Sequence, residues 1–256
     1  GIAQIQVSQA QEVYIRPKGG QLALGKNRNF TFDGEVEAGR FNLKGNDFRF
    51  EYDQFQIGVN QASCRIKVGR PEEFDVRGNP VLTWVRTPIE EVTGTLEIDN
   101  PKNMSGWKSD FFTQYPILTS TEESYVYYDA PTIQQGAYHR DRFNYAVEPF
   151  VIDSLDNFSN KDLRFDGLLK AGNIVPDIVE PLGLMPDFSL GFTKATPEGG
   201  YPLYGEHGTM EGQLALDYSG LHGPGRIEFL TSHIDGNDHV FLPDSTFGES
   251  TNYVND

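Results

Sequence analysis

The 256 residues suffice for one large β domain or two smaller ones, and 38% hydrophobic with 12% aromatic content can build a core, unlike a disordered chain. A formal net charge of −16 and a pI near 4.6 repel phosphate backbones and anionic headgroups, which argues against nucleic acid as a partner. The single cysteine, Cys64, excludes an intrachain disulfide and argues against a cysteine zinc site, and no run of eighteen apolar residues could cross a membrane as a helix.

Alternation of apolar and polar residues, the period of a strand, runs through most of the chain. It begins at Ile2 to Val7, and the preceding start lacks the basic and apolar stretches of a signal peptide. Val13-Tyr14-Ile15-Arg16 follows, then a turn at Pro17-Lys18-Gly19-Gly20. The clearest stretch is 30–59, with breaks expected at Asp33-Gly34, Ala38-Gly39 and Lys44-Gly45-Asn46-Asp47, where turn residues cluster. Its phase predicts Phe30, Phe32, Phe41, Leu43, Phe48, Phe50, Tyr52, Phe55 and Ile57 facing inward, with Arg49 and Glu51 exposed between them. Strands of four to six residues at even spacing are expected there, with further strand regions at 81–98, 145–170 and 212–242.

From Asp99 to Tyr145 the texture changes to Tyr, Ser, Asn, Pro and Gln, which reads as an ordered excursion because aromatic residues need burial. The expected organisation is a first β-unit at 1–100, the excursion at 101–144 and a second β-unit at 145–256, or one continuous domain. The fold class is all-β and mostly antiparallel, an elongated roll, a solenoid-like stack or a sandwich, with helix below about a tenth of residues. Phe32-Asp33-Gly34 to Ala38-Gly39 echoes Phe165-Asp166-Gly167 to Ala171-Gly172, and Gly94 to Asp99 echoes Gly212 to Asp217, which suggests a drifted repeat. Both chain ends read as if cut from a longer protein.

Motifs for chemistry are scarce. None of His139, His207, His222, His233 and His239 stands in a helical zinc pair. Asp235, Asn237 and Asp238, flanked by His233 and His239, lack the spacing of a calcium loop and read as an acidic hairpin turn. Ser219 and His222 are close in sequence, but no nucleophile elbow or phosphate loop is present. Asp177, Asp187 and Glu206 are the carboxylates placed in irregular segments, where a glycosidase pair could sit. Neither a cofactor, a metal nor a catalytic residue is expected. Among the aromatic residues near Tyr115 and Tyr138, Trp107, Tyr125, Tyr127 and Tyr128 are the candidates for a sugar-stacking platform, although such residues serve more often as core.

The stretches Val13 to Pro17, Phe30 to Gly34, Phe48 to Asp53, Ser124 to Asp129, Phe150 to Leu155, Pro186 to Phe192 and Gly220 to Gly225 together resemble a β-rich region of very large proteins of Bacteroidetes-type bacteria. The resemblance spans most of the chain and implies a fragment of a cell-envelope or extracellular surface protein. It carries no functional residue. The strand texture is also similar to the β-groove repeats of lipid-transport bridge proteins, without a motif diagnostic of them. The expected function is a non-catalytic structural or binding module, with neighbouring β-modules, lipid or another chain in an apolar groove as partners. The alternative is a glycan-binding or glycan-degrading β-protein.

Overall fold

The structure, a computed structural model, describes residues 4–104 and 107–255, so Ile2 and Ala3 of the first expected strand lie outside the described residues. In chain order the strands of the first half are β1 (Ile5–Ser8), β2 (Val13–Pro17), β3 (Ala23–Leu24), β4 (Phe30–Ala38), β5 (Phe41–Glu51), β6 (Gln56–Phe74), β7 (Pro80–Trp84), β8 (Ile89–Glu97), β9 (Ile117–Ser120) and β10 (Ser124–Tyr127). They are followed by β11 (Phe143–Val147), β12 (Val151–Ile152), β13 (Arg164–Phe165), β14 (Gly167–Ala171), β15 (Ile178–Val179), β16 (Leu182–Leu184), β17 (Leu190–Ala195) and β18 (Tyr201–Leu203). Four strands end the chain: β19 (Gly208–Asp217), β20 (Gly220–Phe229), β21 (Ser232–Phe241) and β22 (Thr246–Asn255). About 56% of the chain is strand and about 4% helix, so the protein is all-β; among the described residues its sheets are antiparallel and none closes into a barrel. The helical content consists of 3-10 turns at Lys18–Gly20, Gln134–Gly136 and Asn160–Asp162. No helix among the described residues is long and apolar enough to cross a membrane.

The chain divides into two compact units, one of Gly1–Tyr125 with Glu148–Asp162, the other of Val126–Val147 with Leu163–Asp256. These boundaries interleave and do not coincide with the consecutive ones at 100/101 and 144/145 that texture suggests.

In the first unit the strands pair in the order β1–β2–β4–β5–β6–β8–β9–β12, with β3 on β4 and β7 on β6. Alternation puts Val13, Ile15, Val36, Leu43, Ile57, Cys64 and Leu96 on one fully buried face. Phenylalanines pair directly across β4 and β5: Phe30 stacks on Phe50 and Phe32 on Phe48, with ring centroids 4.7 and 5.2 Å apart. Such cross-strand aromatic pairs each contribute about 0.2–1 kcal/mol relative to alanine. Phe32, Phe41, Leu43, Phe48, Phe50, Phe55 and Ile57 are buried as expected, while Phe30 and Tyr52 are half-buried. Arg49 is exposed, but Glu51 is half-buried, its carboxylate accepting a 2.8 Å hydrogen bond from Gln56.

The strands are longer than expected, because two of the three expected breaks, Asp33-Gly34 and Lys44 to Asp47, face each other across one bulge between β4 and β5. The ladder between β4 and β5 shifts register between Phe32 and Gly34, and the Asp33 carboxylate accepts the Asp47 backbone N–H at 2.8 Å. The carboxylate thus takes up a donor that the bulge removes from the ladder. Gly34 sits at φ 142°, where a Cβ would lie 2.2 Å from the Arg16 carbonyl oxygen of β2. Ala38-Gly39 is the one true turn of the three, with Gly39 at φ 55°.

In the second unit β11, β14 and β15 pair antiparallel in that order, and β13–β16–β17–β19–β20–β21–β22 form another sheet, with β18 on β19. Tyrosines of 126–147 bond to backbone groups elsewhere in the unit. Tyr128 donates to the Leu190 carbonyl at 2.9 Å, and Tyr138 donates to Phe241 at 2.7 Å while accepting the Leu221 N–H at 3.1 Å. Tyr138 also stacks on Phe143 at 4.2 Å. Burial pushes the Tyr138 phenol up to about 12, so it stays a donor at any ordinary pH.

The two Phe-Asp-Gly segments have matching surroundings. Gly34 to Ala38 pairs antiparallel with Pro17 to Val13, and Gly167 to Ala171 pairs in the same five-residue register with Val147 to Phe143. In both, the phenylalanine and alanine are buried, the aspartate is exposed, and the glycine after the alanine has positive φ.

This geometry makes Gly34 a sensitive position. Gly34→Val should destabilise the fold by about 1–3 kcal/mol, the usual cost of forcing extra atoms into a packed site. Urea unfolding checks this; an unchanged midpoint would contradict the close approach of β2 and β4.

Candidate apolar trough

The end of the second unit's larger sheet carries an open apolar recess. Register places Met210, Ile227, Ile234 and Tyr253 side by side across β19, β20, β21 and β22. Alternation keeps these on one face, and Phe229 and Ser232 extend it by one row. Leu203 at the end of β18 and Tyr204 in the turn after it form one wall. The Tyr204 hydroxyl holds the other wall in place: it lies 2.7 Å from the Ser245 carbonyl, 3.0 Å from that of Leu242 and 2.6 Å from the Thr246 hydroxyl. The trough encloses about 620 Å³. Ile227 and His239 form its nearly closed floor, whereas Phe229, Phe247 and Tyr253 are 50%, 51% and 60% exposed on its rim. The buried His239 ring is anchored by donating from Nε2 to the Gly225 carbonyl at 3.1 Å.

A second recess of about 590 Å³ lies beside the same strand, lined by Asn237, Asp238, Val240, Glu249 and Thr251. Phe247, Gly248 and Ser250 of β22 border both recesses. Clefts of similar size in the first unit differ in character. One is walled by Arg16, Glu35, Lys44 and Glu90, and these charges are occupied: Arg16 pairs with Glu37, Lys44 with Glu35, and Glu90 accepts from Ser63.

Beside the second recess, three strands are tied by one imidazole. His222 of β20 holds Asp238 of β21 through Nδ1 at 2.7 Å and Asp217 of β19 through Nε2 at 3.1 Å. The bond to Asp217 pushes the His222 pKa up to about 9 despite burial, with Asp238 adding to the rise. Burial opposes ionisation of Asp217, but hydrogen bonds from His222 and Ser219 outweigh it and hold the carboxyl below its ordinary range. With both ring nitrogens engaged by carboxylates, His222 has no free nitrogen to activate Ser219.

The sequence-expected sites fall as follows. Asp235 to Asp238 lie inside β21, not in a hairpin turn. The ladder bulges there, and Asp235 is held by Arg226 at 2.7 Å and Asn252 at 3.2 Å, so residues of turn type again mark a bulge. No cluster of three or more His, Cys, Asp or Glu side chains suited to a metal occurs among the described residues. Cys64 is buried in β6, and burial pushes its thiol up, away from nucleophilic character. Asp177 accepts the Ala171 N–H, Asp187 accepts from Ser189 and Tyr218, and Glu206 is an exposed turn residue. Of the four aromatic candidates, Trp107 is exposed in the first unit, and Tyr125 there bonds to Glu123. In the second unit Tyr127 lies under the Arg140 guanidinium at 4.5 Å, and Tyr128 is fully buried. Tyr115 and Tyr138 are buried as well.

The strand pattern legible in the sequence extends to Leu242 and does not include β22, which carries Phe247 and Tyr253. One signal was available: after Arg226 the chain has no Lys or Arg but six Asp or Glu, with aromatic residues among them. No known protein family, curated protein or solved structure matches this chain.

The His222 clamp predicts a pH profile. Because the folded pKa exceeds the ordinary 6.5, its stabilisation is complete below pH 6.5 and is lost as pH rises through about 9. His222→Gln should cost about 1–3 kcal/mol at pH 6 and flatten the decline between pH 6.5 and 9. Thermal melts across that range check it; a wild-type profile that is flat there would count against the clamp.

Proposed function

We propose that this chain is a non-catalytic structural or binding module of a larger bacterial envelope protein, and that the trough of the second unit is where it takes an apolar ligand. The observation that carries this reading is the trough's half-exposed aromatic rim over an apolar floor. Large apolar side chains left open to water in a concave recess mark a binding surface more often than an unfinished core. The carboxylates proposed for chemistry serve turns, and the one histidine flanked by carboxylates is saturated by them, which supports a non-catalytic role. The envelope setting is supported by the resemblance of the quoted segments. The glycan alternative has Trp107 as its best support, since Tyr127 already carries a cation and Tyr128 is buried.

A neutral solvatochromic dye, Nile red, tests the trough. Its fluorescence should rise and saturate with wild-type protein. Phe229→Glu combined with Tyr253→Glu should weaken binding by about fivefold or more, the equivalent of about 1 kcal/mol. Phe111→Glu, at an exposed aromatic of the first unit, should leave binding unchanged. Equal loss in both variants, or no saturable binding, would remove the trough as a ligand site.

A further inference from the structure

We infer that the trough's ligand is an extended polypeptide strand that adds to the β22 edge, with apolar and basic side chains alternating along it. This rests on reading the trough as a binding site, and it specifies the ligand.

β22 is a ten-residue strand hydrogen-bonded on one side only, to β21, among the described residues. Its other side is therefore a row of backbone donors and acceptors open to a new strand. Edge strands are commonly protected by lysine, proline or a short length. β22 has neither Lys nor Pro, and Glu249 is its sole charge. A lipid chain would use the trough but leave this backbone row unused.

The two recesses flanking β22 fit the period of a strand. Successive side chains of an added strand point to opposite faces of the sheet. One set enters the apolar trough between Tyr204 and Tyr253, and the other set meets the recess of Asp238 and Glu249. Charge selects what the second set should be. Glu249 in that recess has no cationic partner among the described residues, and the sequence from Ile227 to Asp256 holds six acidic side chains and no Lys or Arg. An acidic strand would be repelled, and a basic one attracted. Main-chain bonds would supply affinity, and the alternate side chains specificity.

The test uses the whole chain and a nine-residue acetylated, amidated peptide alternating Lys with Val and Ile. Wild-type protein should bind it saturably, release Nile red, and show slowed hydrogen exchange for β22 amides. A central proline, which removes a ladder donor, should weaken binding by about tenfold. Replacing every Lys by Glu should abolish binding, and Glu249→Lys should weaken the basic peptide while leaving Nile red binding intact. Strand addition is overturned, with the trough itself retained, if the peptide releases Nile red without slowing β22 exchange, if the proline peptide binds equally, or if monodecanoylglycerol releases the dye and the peptide does not. Equal binding of the Glu peptide overturns the charge assignment. Loss of both dye and peptide binding in the wild type removes the trough reading as well.

Discussion

The backbone hydrogen-bond ladder is the interaction on which this structure depends. A strand offers donors and acceptors along both sides, and a buried group left unpaired costs about 1–3 kcal/mol. With no α-helix among the described residues, nearly every backbone group must find a partner across a sheet or through a side chain. In the second unit buried tyrosines help where ladders stop: Tyr128 satisfies Leu190, and Tyr138 satisfies Leu221 and Phe241. Among the described residues the ladder stops at β22, which borders an apolar recess.

Glycine and short polar residues let long strands coexist with tight packing. β6 runs for nineteen residues and β5 for eleven, lengths at which the natural twist of a flat ladder would carry the strand away from its core. Bulges at Asp33-Gly34 and Asp235-Gly236 reset the register, and each is fastened by a carboxylate: Asp33 to the Asp47 N–H, Asp235 to Arg226 and Asn252. Part of the chain's acidic excess is therefore structural. The bulge in β21 also lies between the trough row of Ile234 and Tyr253 and the row of Val240 and Phe247, so it shapes both recesses beside β22.

The all-β class and the buried face of Phe32, Phe41, Leu43, Phe48, Phe50 and Ile57 were legible in the sequence, because period-2 alternation is imposed directly by strand geometry. Bulges were not, since Asp-Gly and Gly-Asn-Asp serve equally well in a hairpin turn and in a bulge, and only the partner strand decides between them. Segment 148–162 belongs with the first unit through long-range contacts such as Phe158 against Phe41, at 5.4 Å between centroids, which no local pattern announces. Aromatic residues were read correctly as abundant but could not be sorted by exposure: Tyr127 and Tyr128 are adjacent, and one is half-buried and the other closed. β22 escaped because Gly248, Ser250, Asn252 and Asn255 give it low strand propensity, and the β21 ladder overrides that preference.

The proposed function requires the trough to be an open, apolar, ligand-accepting surface. Crystals soaked with a neutral bromoalkane, examined by anomalous scattering from bromine, test this most directly. Bromine density between Tyr204, Ile227 and Tyr253 is the result expected. Density confined to other surfaces, or a trough filled by the chain's own Phe229, Phe247 and Tyr253 side chains, would contradict it.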